Sequence, residues 1–298
     1  MKIGAVILTR DEEIHINRCI ESIRSVVDFI LVADSYSRDD TVEICRSLNV
    51  KVIQNEWINY SEQFNWAVNE IPKEIDWILR IDADEYLTTE SQREIIGLKK
   101  NIRSDISGVY IPRRMAFMGR LIRHGGLFPV NMLRLFRRSD GRCETRWMDE
   151  HIVVGGNTLA LDGELIDDNG KSLGWWISKH NSYAEREVAD LVLMLDRQED
   201  SGSFAELSFS KDDARKRWIK ENLYLKLPSG VRAFMYFFYR YVLRLGFLDG
   251  REGTAFHFLQ GLWYRYLVDL KHREVQKYMT QENCSAREAL INLYGLNV

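Results

Sequence analysis

The chain reads as an α/β fold, a mostly parallel sheet flanked by helices, followed by a helical C-terminal extension. Short apolar runs at 1–8, 29–33, 50–54 and 77–82 alternate with segments whose apolar residues recur at helical spacing. Such alternation implies parallel strands joined by right-handed crossovers. After about residue 198 the strand-like runs stop and long aromatic, helix-spaced stretches take over. We therefore expect one α/β domain over 1–198 and a helical region over 199–298. The size of 298 residues, with 45% hydrophobic and 29% charged side chains, suits an ordinary folded soluble chain.

The first strand leads into Thr9-Arg10-Asp11-Glu12-Glu13 and then a helix with Ile16, Cys19, Ile20 and Ile23 on one face. The second strand ends in Asp34-Ser35-Tyr36-Ser37-Arg38-Asp39-Asp40. Asp40 with Glu43 three residues on predicts a capping box opening a helix over 41–48. A third strand at 50–54 and a helix over 61–71 precede the fourth strand. Ligands of such sheets bind at the carboxyl edge of the strands, where Thr9 to Glu12, Asp34 and Asp82 to Glu85 all fall by topology. A helix over 90–101 and a strand over 108–112 follow, then a short strand over 152–154 with a Gly155-Gly156-Asn157 turn. Residues 175–197 read as helix, 199–210 as a polar connecting stretch, and Ser285-Ala286-Arg287-Glu288 as a capping box opening a last helix.

The chemistry centres on Trp77-Ile78-Leu79-Arg80-Ile81-Asp82-Ala83-Asp84-Glu85, a buried-strand pattern that delivers three carboxylates at its end. Side chains alternate along extended backbone, so Asp82 and Asp84 are expected to face the same way and repel one another unless a hard cation is near. Magnesium or manganese would relieve that repulsion and share its shell with substrate phosphates, which points to a nucleotide-diphosphate substrate. The plainer reading is a solvated acidic turn.

A formal charge of −3 gives no overall pull toward nucleic acid, and no helix-turn-helix or finger spacing is present. Residues 113–146 are nevertheless dense in arginine (Arg113, Arg114, Arg120, Arg123, Arg134, Arg137, Arg138, Arg142, Arg146). Guanidinium forks suit a diphosphate or anionic lipid headgroups, while for any one of them pairing with the protein's own acids is the default. Asp149-Glu150-His151 offers two carboxylates beside a histidine, enough for a general base or merely the start of an edge strand. Four scattered cysteines and the absence of a secretory pattern predict a reducing cytoplasm. The run 231–248 is aromatic, broken only by arginines, and too interrupted to span a bilayer. It reads either as a buried helix or as one lying in the headgroup layer of the inner face of a membrane, with Arg240 and Arg244 reaching headgroups together.

Ile7 to Glu12, Val32 to Asp39 and Leu79 to Glu85 together resemble family 2 glycosyltransferases of the GT-A fold, over about the first two-thirds of the chain. The resemblance is nearest to bacterial members that build lipopolysaccharide core, capsule or exopolysaccharide, and Phe247-Leu248-Asp249-Gly250 with Gly253 resembles their helical tail. It implies an inverting, metal-dependent transfer from a nucleotide-diphosphate sugar to a glycan or lipid-linked acceptor. Thr9 and Glu12 would then hold base and ribose, with Arg10 and Arg80 in the same motifs. Asp34 would contact the base, Asp82 and Asp84 would serve ribose and metal (manganese or magnesium), and Gln63 and Asn65 would approach the donor. Glu150 aligns as the base, with Asp149 as the alternative, because relatives often carry His-Glu where this chain has Asp149-Glu150-His151. A sugar-nucleotide pyrophosphorylase would want glycines after the first strand, and an aspartyl phosphatase its acids on that strand followed by a hydroxyl. A non-catalytic membrane-surface scaffold would leave the acids without a role. These are the competing readings.

Overall fold

The computed structural model describes residues 1–144, 151–200, 228 and 230–296, the side chains of 194–200 excepted. The chain divides into two compact units, Met1–Arg123 with Leu127–Gly170, and His124–Gly126 with Lys171–Val298.

In the first unit β1 (Ile3–Thr9), α1 (Ile16–Ile23), β2 (Phe29–Asp34), α2 (Thr41–Ser47), β3 (Lys51–Gln54), α3 (Tyr60–Asn69) and β4 (Trp77–Arg80) alternate as expected. Their strands lie parallel in the order β3-β2-β1-β4. The two-residue period of β1 explains the layering. Ile3, Ala5 and Ile7 pack with Ile16, Cys19 and Ile20 of α1 and Cys45 of α2, whereas Val6 faces Phe64 and Ala67 of α3. Helices thus cover both faces, and each fully buried isoleucine contributes about 1.5–3 kcal/mol.

Beyond β4 the sheet becomes mixed. It continues through β5 (Glu85–Leu87), α4 (Thr89–Asn101), β6 (Ile106–Phe117), β7 (Arg120–Leu121), β8 (Val130–Arg137), β11 (Asn157–Ala160) and β12 (Leu165–Asp168). The full order is β3-β2-β1-β4-β8-β6-β12-β5, with β8 antiparallel to both β4 and β6. The short strands β9 (Gly141–Cys143) and β10 (Ile152–Val154) pair separately. Strand β6 is twelve residues long, well beyond the expected 108–112. Pro112 and the following arginines look like a strand end in sequence. The strand continues because Arg113 pairs with Asp167 and Arg114 with Glu164.

The helix entries differ in one detail. Asp40 makes no capping bond, and Asp39 takes its place, accepting from the Thr41 N–H at 3.1 Å. Asn59 and Thr88 cap α3 and α4.

In the second unit α5 (Leu173–Asp200) runs across the boundary expected near 198. It packs Ala184, Val188 and Val192 against α8 (Tyr264–Glu282) and α9 (Ala286–Tyr294), through Val268, Val275, Ala289 and Leu290. The capping box of Ser285 and Glu288 opens α9 as the sequence predicts. Between lie α6 (Val231–Phe238), a π-type turn (Tyr239–Leu243), a tight turn (Gly246–Asp249), α7 (Gly250–Phe256) and a second π-type stretch (His257–Trp263).

A polar cluster is buried in this unit. Asp249, 2% exposed, accepts from the His124 backbone N–H at 2.9 Å and from its Nδ1 at 2.7 Å, and lies 3.5 Å from His257 Nε2. Arg240 donates to His257 Nδ1 at 3.2 Å and to Gln260 at 3.1 Å. Gly125 has φ +87°, and a Cβ there would sit 2.2 Å from His257 Cε1, so only glycine fits.

Arg240 therefore does not reach outward with Arg244. It is 1% exposed, because the π-type turn that contains it breaks the helical spacing on which the sequence expectation rested. Arg244 is exposed, and so are Phe234, Met235, Phe238, Leu243, Phe247 and Leu248. No described helix is long and apolar enough to cross a membrane.

Candidate active site

The carboxyl ends of β1, β2 and β3 put Thr9, Asp34 and Gln54 in one row, since Thr9 is the register partner of Asp34 and Asp34 of Gln54. Asp34 is fully buried. Its oxygens accept from Thr9 Oγ1 at 3.0 Å, Gln54 Nε2 at 2.9 Å, the Ser37 N–H at 3.0 Å and the Ser37 hydroxyl. It acts as the knot that ties three strand ends and the 35–37 turn. Gln63, 1% exposed, joins the same network by donating to Ser35 Oγ at 3.2 Å and accepting from Asn55 at 3.1 Å. Asn65 is turned elsewhere, bonding both ways to the Cys143 backbone. Arg10 is exposed, and Glu12 accepts from His15 Nδ1 at 2.6 Å.

Strand β4 ends at Arg80, so Asp82 to Glu85 form a turn, closed by Glu85 N–H donating to Asp82 O at 2.9 Å. The three carboxylates therefore do not leave an extended strand together. Glu85 points inward, 1% exposed, onto Arg134 Nη2 at 2.5 Å and the Asp82 N–H at 3.0 Å. It is a structural acid. Asp82 is 30% exposed and accepts from Tyr60 OH at 2.6 Å and Arg134 Nη2 at 3.2 Å. The Tyr60 hydroxyl in turn accepts from Arg80 Nε at 2.8 Å, and the Arg80 guanidinium lies 4.2 Å over the Tyr60 ring.

Electrostatics divide the acids. Burial would raise Asp82, but Arg134, Arg80 and the Tyr60 hydroxyl outweigh it and hold the carboxyl well below the usual range. For Glu85 burial prevails over the pull of Arg134, and the Asp82 charge adds to it, so the carboxyl is raised above the usual range. The Tyr60 hydroxyl is raised by burial and stays a donor.

Asp84 is partly exposed, and its Oδ2 accepts from Asn169 Nδ2 at 2.9 Å. Its Oδ1 has no hydrogen-bond partner among the described residues. This donor set suits a hard divalent cation held by one or two carboxylates and completed by substrate phosphates. An all-protein cage is not offered, for no group of three or more ligating side chains is arranged for one among the described residues.

The arginine-rich stretch is largely spent on the protein itself. Arg113 pairs with Asp167, Arg114 with Glu164 and Arg134 with Glu85, while Arg137 and Arg138 donate to backbone carbonyls. The pattern of Asp149 and Glu150 lies outside the described residues, as does Arg146. Sequence reasoning missed Gln54, Tyr60, Arg134 as an individual, and Asn169. Their signal is register and tertiary pairing, which no local spacing carries.

The model for glycosyl transferase family 2 matches residues 5–153. An uncharacterised glycosyltransferase of Rickettsia felis is 46% identical over 202 residues, covering 64% of this chain and 70% of the relative. The lipopolysaccharide core biosynthesis glycosyltransferase LpsC of Rhizobium meliloti is 28% identical over 214 residues, covering 68% and 73%. Among solved structures, S. aureus TarS 1–349 in complex with UDP-GlcNAc aligns over 95% of this chain and 92% of its own at 14% identity and TM-score 0.45. Glucosyl-3-phosphoglycerate synthase from Mycobacterium tuberculosis, in complex with Mn2+, UDP and glucosyl-3-phosphoglycerate, aligns over 46% and 57% at 18% identity and TM-score 0.35. The chain belongs to glycosyl transferase family 2. It is a glycosyltransferase, with an α/β unit and C-terminal helices.

Proposed function

We propose that the enzyme is a metal-dependent, inverting glycosyltransferase that moves a sugar from a nucleotide-diphosphate donor to a glycan or lipid-linked acceptor in bacterial surface polysaccharide synthesis. The observation that carries this reading is the Asp82 to Asp84 turn, which follows β4, the parallel neighbour of the β1 strand that carries Thr9, and holds one carboxylate oxygen without a hydrogen-bond partner among the described residues. Thr9, Arg10, Glu12, Asp34 and Gln63 would line or brace the nucleotide end. Asn65 would act from further back by fixing β9. Asp82, kept ionised by Arg134 and Arg80, would accept a hydrogen bond from the ribose. Asp84 would hold the manganese or magnesium ion, which when bound neutralises the departing diphosphate. Glu150 would take the proton of the attacking hydroxyl on the opposite side of the sugar carbon, with Asp149 as the alternative.

Acceptor access at a membrane surface is supported by the exposed apolar side chains between Phe234 and Leu248, a run without a single acid. With Arg240 buried, the attachment would rest on these side chains and on Arg244. Flotation with phosphatidylcholine vesicles, with and without phosphatidylglycerol, tests it. The F238S/L243S double variant should no longer float, and equal flotation of both proteins removes the membrane from the account.

The transfer reading is tested by Glu150→Gln, which keeps shape and removes the proton-accepting charge. Donor binding should persist while transfer falls by about 10²-fold or more. If Asp149→Asn is the inactive variant and Glu150→Gln turns over normally, the base is one position earlier.

A further inference from the structure

Five carboxylates meet around the β4–β5 turn and the end of β12, and four of them face an arginine. Asp82 and Glu85 share Arg134 at 3.2 and 2.5 Å, Asp167 pairs with Arg113 at 3.0 Å, and Asp168 with Arg18 at 2.5 Å. Asp84 forms no ion pair among the described residues and is held by a neutral amide, that of Asn169. The difference is chemical. An arginine would orient the carboxylate and neutralise it, whereas an amide N–H fixes its direction and leaves the charge for another cation.

Asn169 is itself fixed from both sides. The Asp168 N–H donates to the Asp84 carbonyl at 3.0 Å, and Arg18 reaches the Asp168 carboxylate and carbonyl, each at 2.5 Å. On the other side the Gly170 N–H donates to His15 Nε2 at 2.9 Å. That bond makes Nε2 the acceptor, so Nδ1 carries the proton and donates to Glu12 at 2.6 Å. His15 is 2% exposed. One chain of contacts therefore runs from Glu12 through His15 and Gly170 to Asn169 and Asp84.

We propose that Asn169 is the positioning residue for the metal carboxylate: it pins Asp84 Oδ2 so that Oδ1 is aimed at the cation. The inference rests on the reading of Asp84 as the metal ligand. Hydrogen-bond partners behind a metal ligand are typically worth about 10–100-fold in metal affinity. Asn169→Leu keeps similar volume and removes the donor, and Asn169→Ala serves should the larger side chain misfit.

The experiment is calorimetric titration of the full chain with uridine, guanosine, adenosine and cytidine diphosphates, in manganese(II) and again in EDTA, alongside melting temperatures. Wild type should bind at least one of the four more tightly with manganese, and Asp84→Ala should lose that gain. The Asn169 variants should lose about 10–100-fold of the manganese-dependent affinity, with metal-free binding and melting temperature unchanged. An undiminished manganese gain in the Asn169 variants, while Asp84→Ala loses it, overturns the positioning role and leaves the metal ligand in place. An equal loss in EDTA makes Asn169 a scaffold residue and overturns the proposal as well. No manganese dependence in wild type with any of the four defeats both the proposal and the metal reading on which it rests.

Discussion

Arg134 Nη2 serves two acids at once, and its side chain and that of Glu85 are each 1% exposed, so this pair is out of reach of water, while Asp82 keeps 30% exposure. Its Nε and Nη1 have no hydrogen-bond partner among the described residues, which concentrates its role on the Asp82–Glu85 pair. Removing one member of a buried ion pair typically costs about 3–5 kcal/mol, because the other charge stays buried alone. Arg134→Met should therefore lower unfolding free energy in urea by that amount, and adding Glu85→Met should return part of it. A loss below about 1 kcal/mol in the single variant would contradict the pairing. At this scale the sequence located the acids of the sheet edge, because Asp34, Asp82 and Asp84 follow strand patterns that end there. It could not show which acid turns inward. Glu85 stands next to Asp84 in the chain, and only the position of Arg134 on β8, paired antiparallel to β4, separates the buried acid from the available one.

Among the elements, the entry to α2 gives a sharp comparison. The Asp40–Glu43 spacing has the form of a capping box, yet Asp40 makes no cap bond. Asp39 instead accepts from Thr41 N–H and Oγ1 and from the Glu13 N–H. Asp39→Ala should cost about 1–3 kcal/mol and Asp40→Ala less than about 0.5 kcal/mol, read from urea midpoints. The reverse order would restore the local reading. At α9 the same kind of signal is correct, and Ser285→Ala should cost about 1 kcal/mol. The two cases differ because Asp39 lies against the 11–13 loop, a tertiary neighbour, whereas Ser285 and Glu288 need only each other. For the same reason the β1 to β4 alternation was legible. The antiparallel insertion of β8, which depends on residues fifty positions away, was not.

For the whole molecule, pH should act through the buried histidine of the second unit. Burial first, then the nearby Arg240, pushes His257 down to about 4, with Asp249 opposing and His124 adding to the shift. An unfolded histidine titrates near 6.5, so between about pH 6.5 and 4 the unfolded chain binds the extra proton. Stability from the neutral His257 is thus complete above about 6.5 and lost as pH falls toward 4. Melting temperatures of wild type and His257→Gln across this range should converge as the pH drops. A constant gap between them would show that His257 does not titrate differently on unfolding.

The placement of His124, Gly125 and Gly126 within the helical unit has a consequence for how such enzymes can diversify. A gene fusion that exchanges only the 3′ portion would bring in a new tail against a triplet shaped for Asp249, His257 and Arg244, where even one added methyl at residue 125 collides at 2.2 Å. Productive recombination between lineages therefore needs three crossovers, one ahead of the tail and two bracketing three codons in the middle of the reading frame. Those codons and the tail should be inherited as a linked pair.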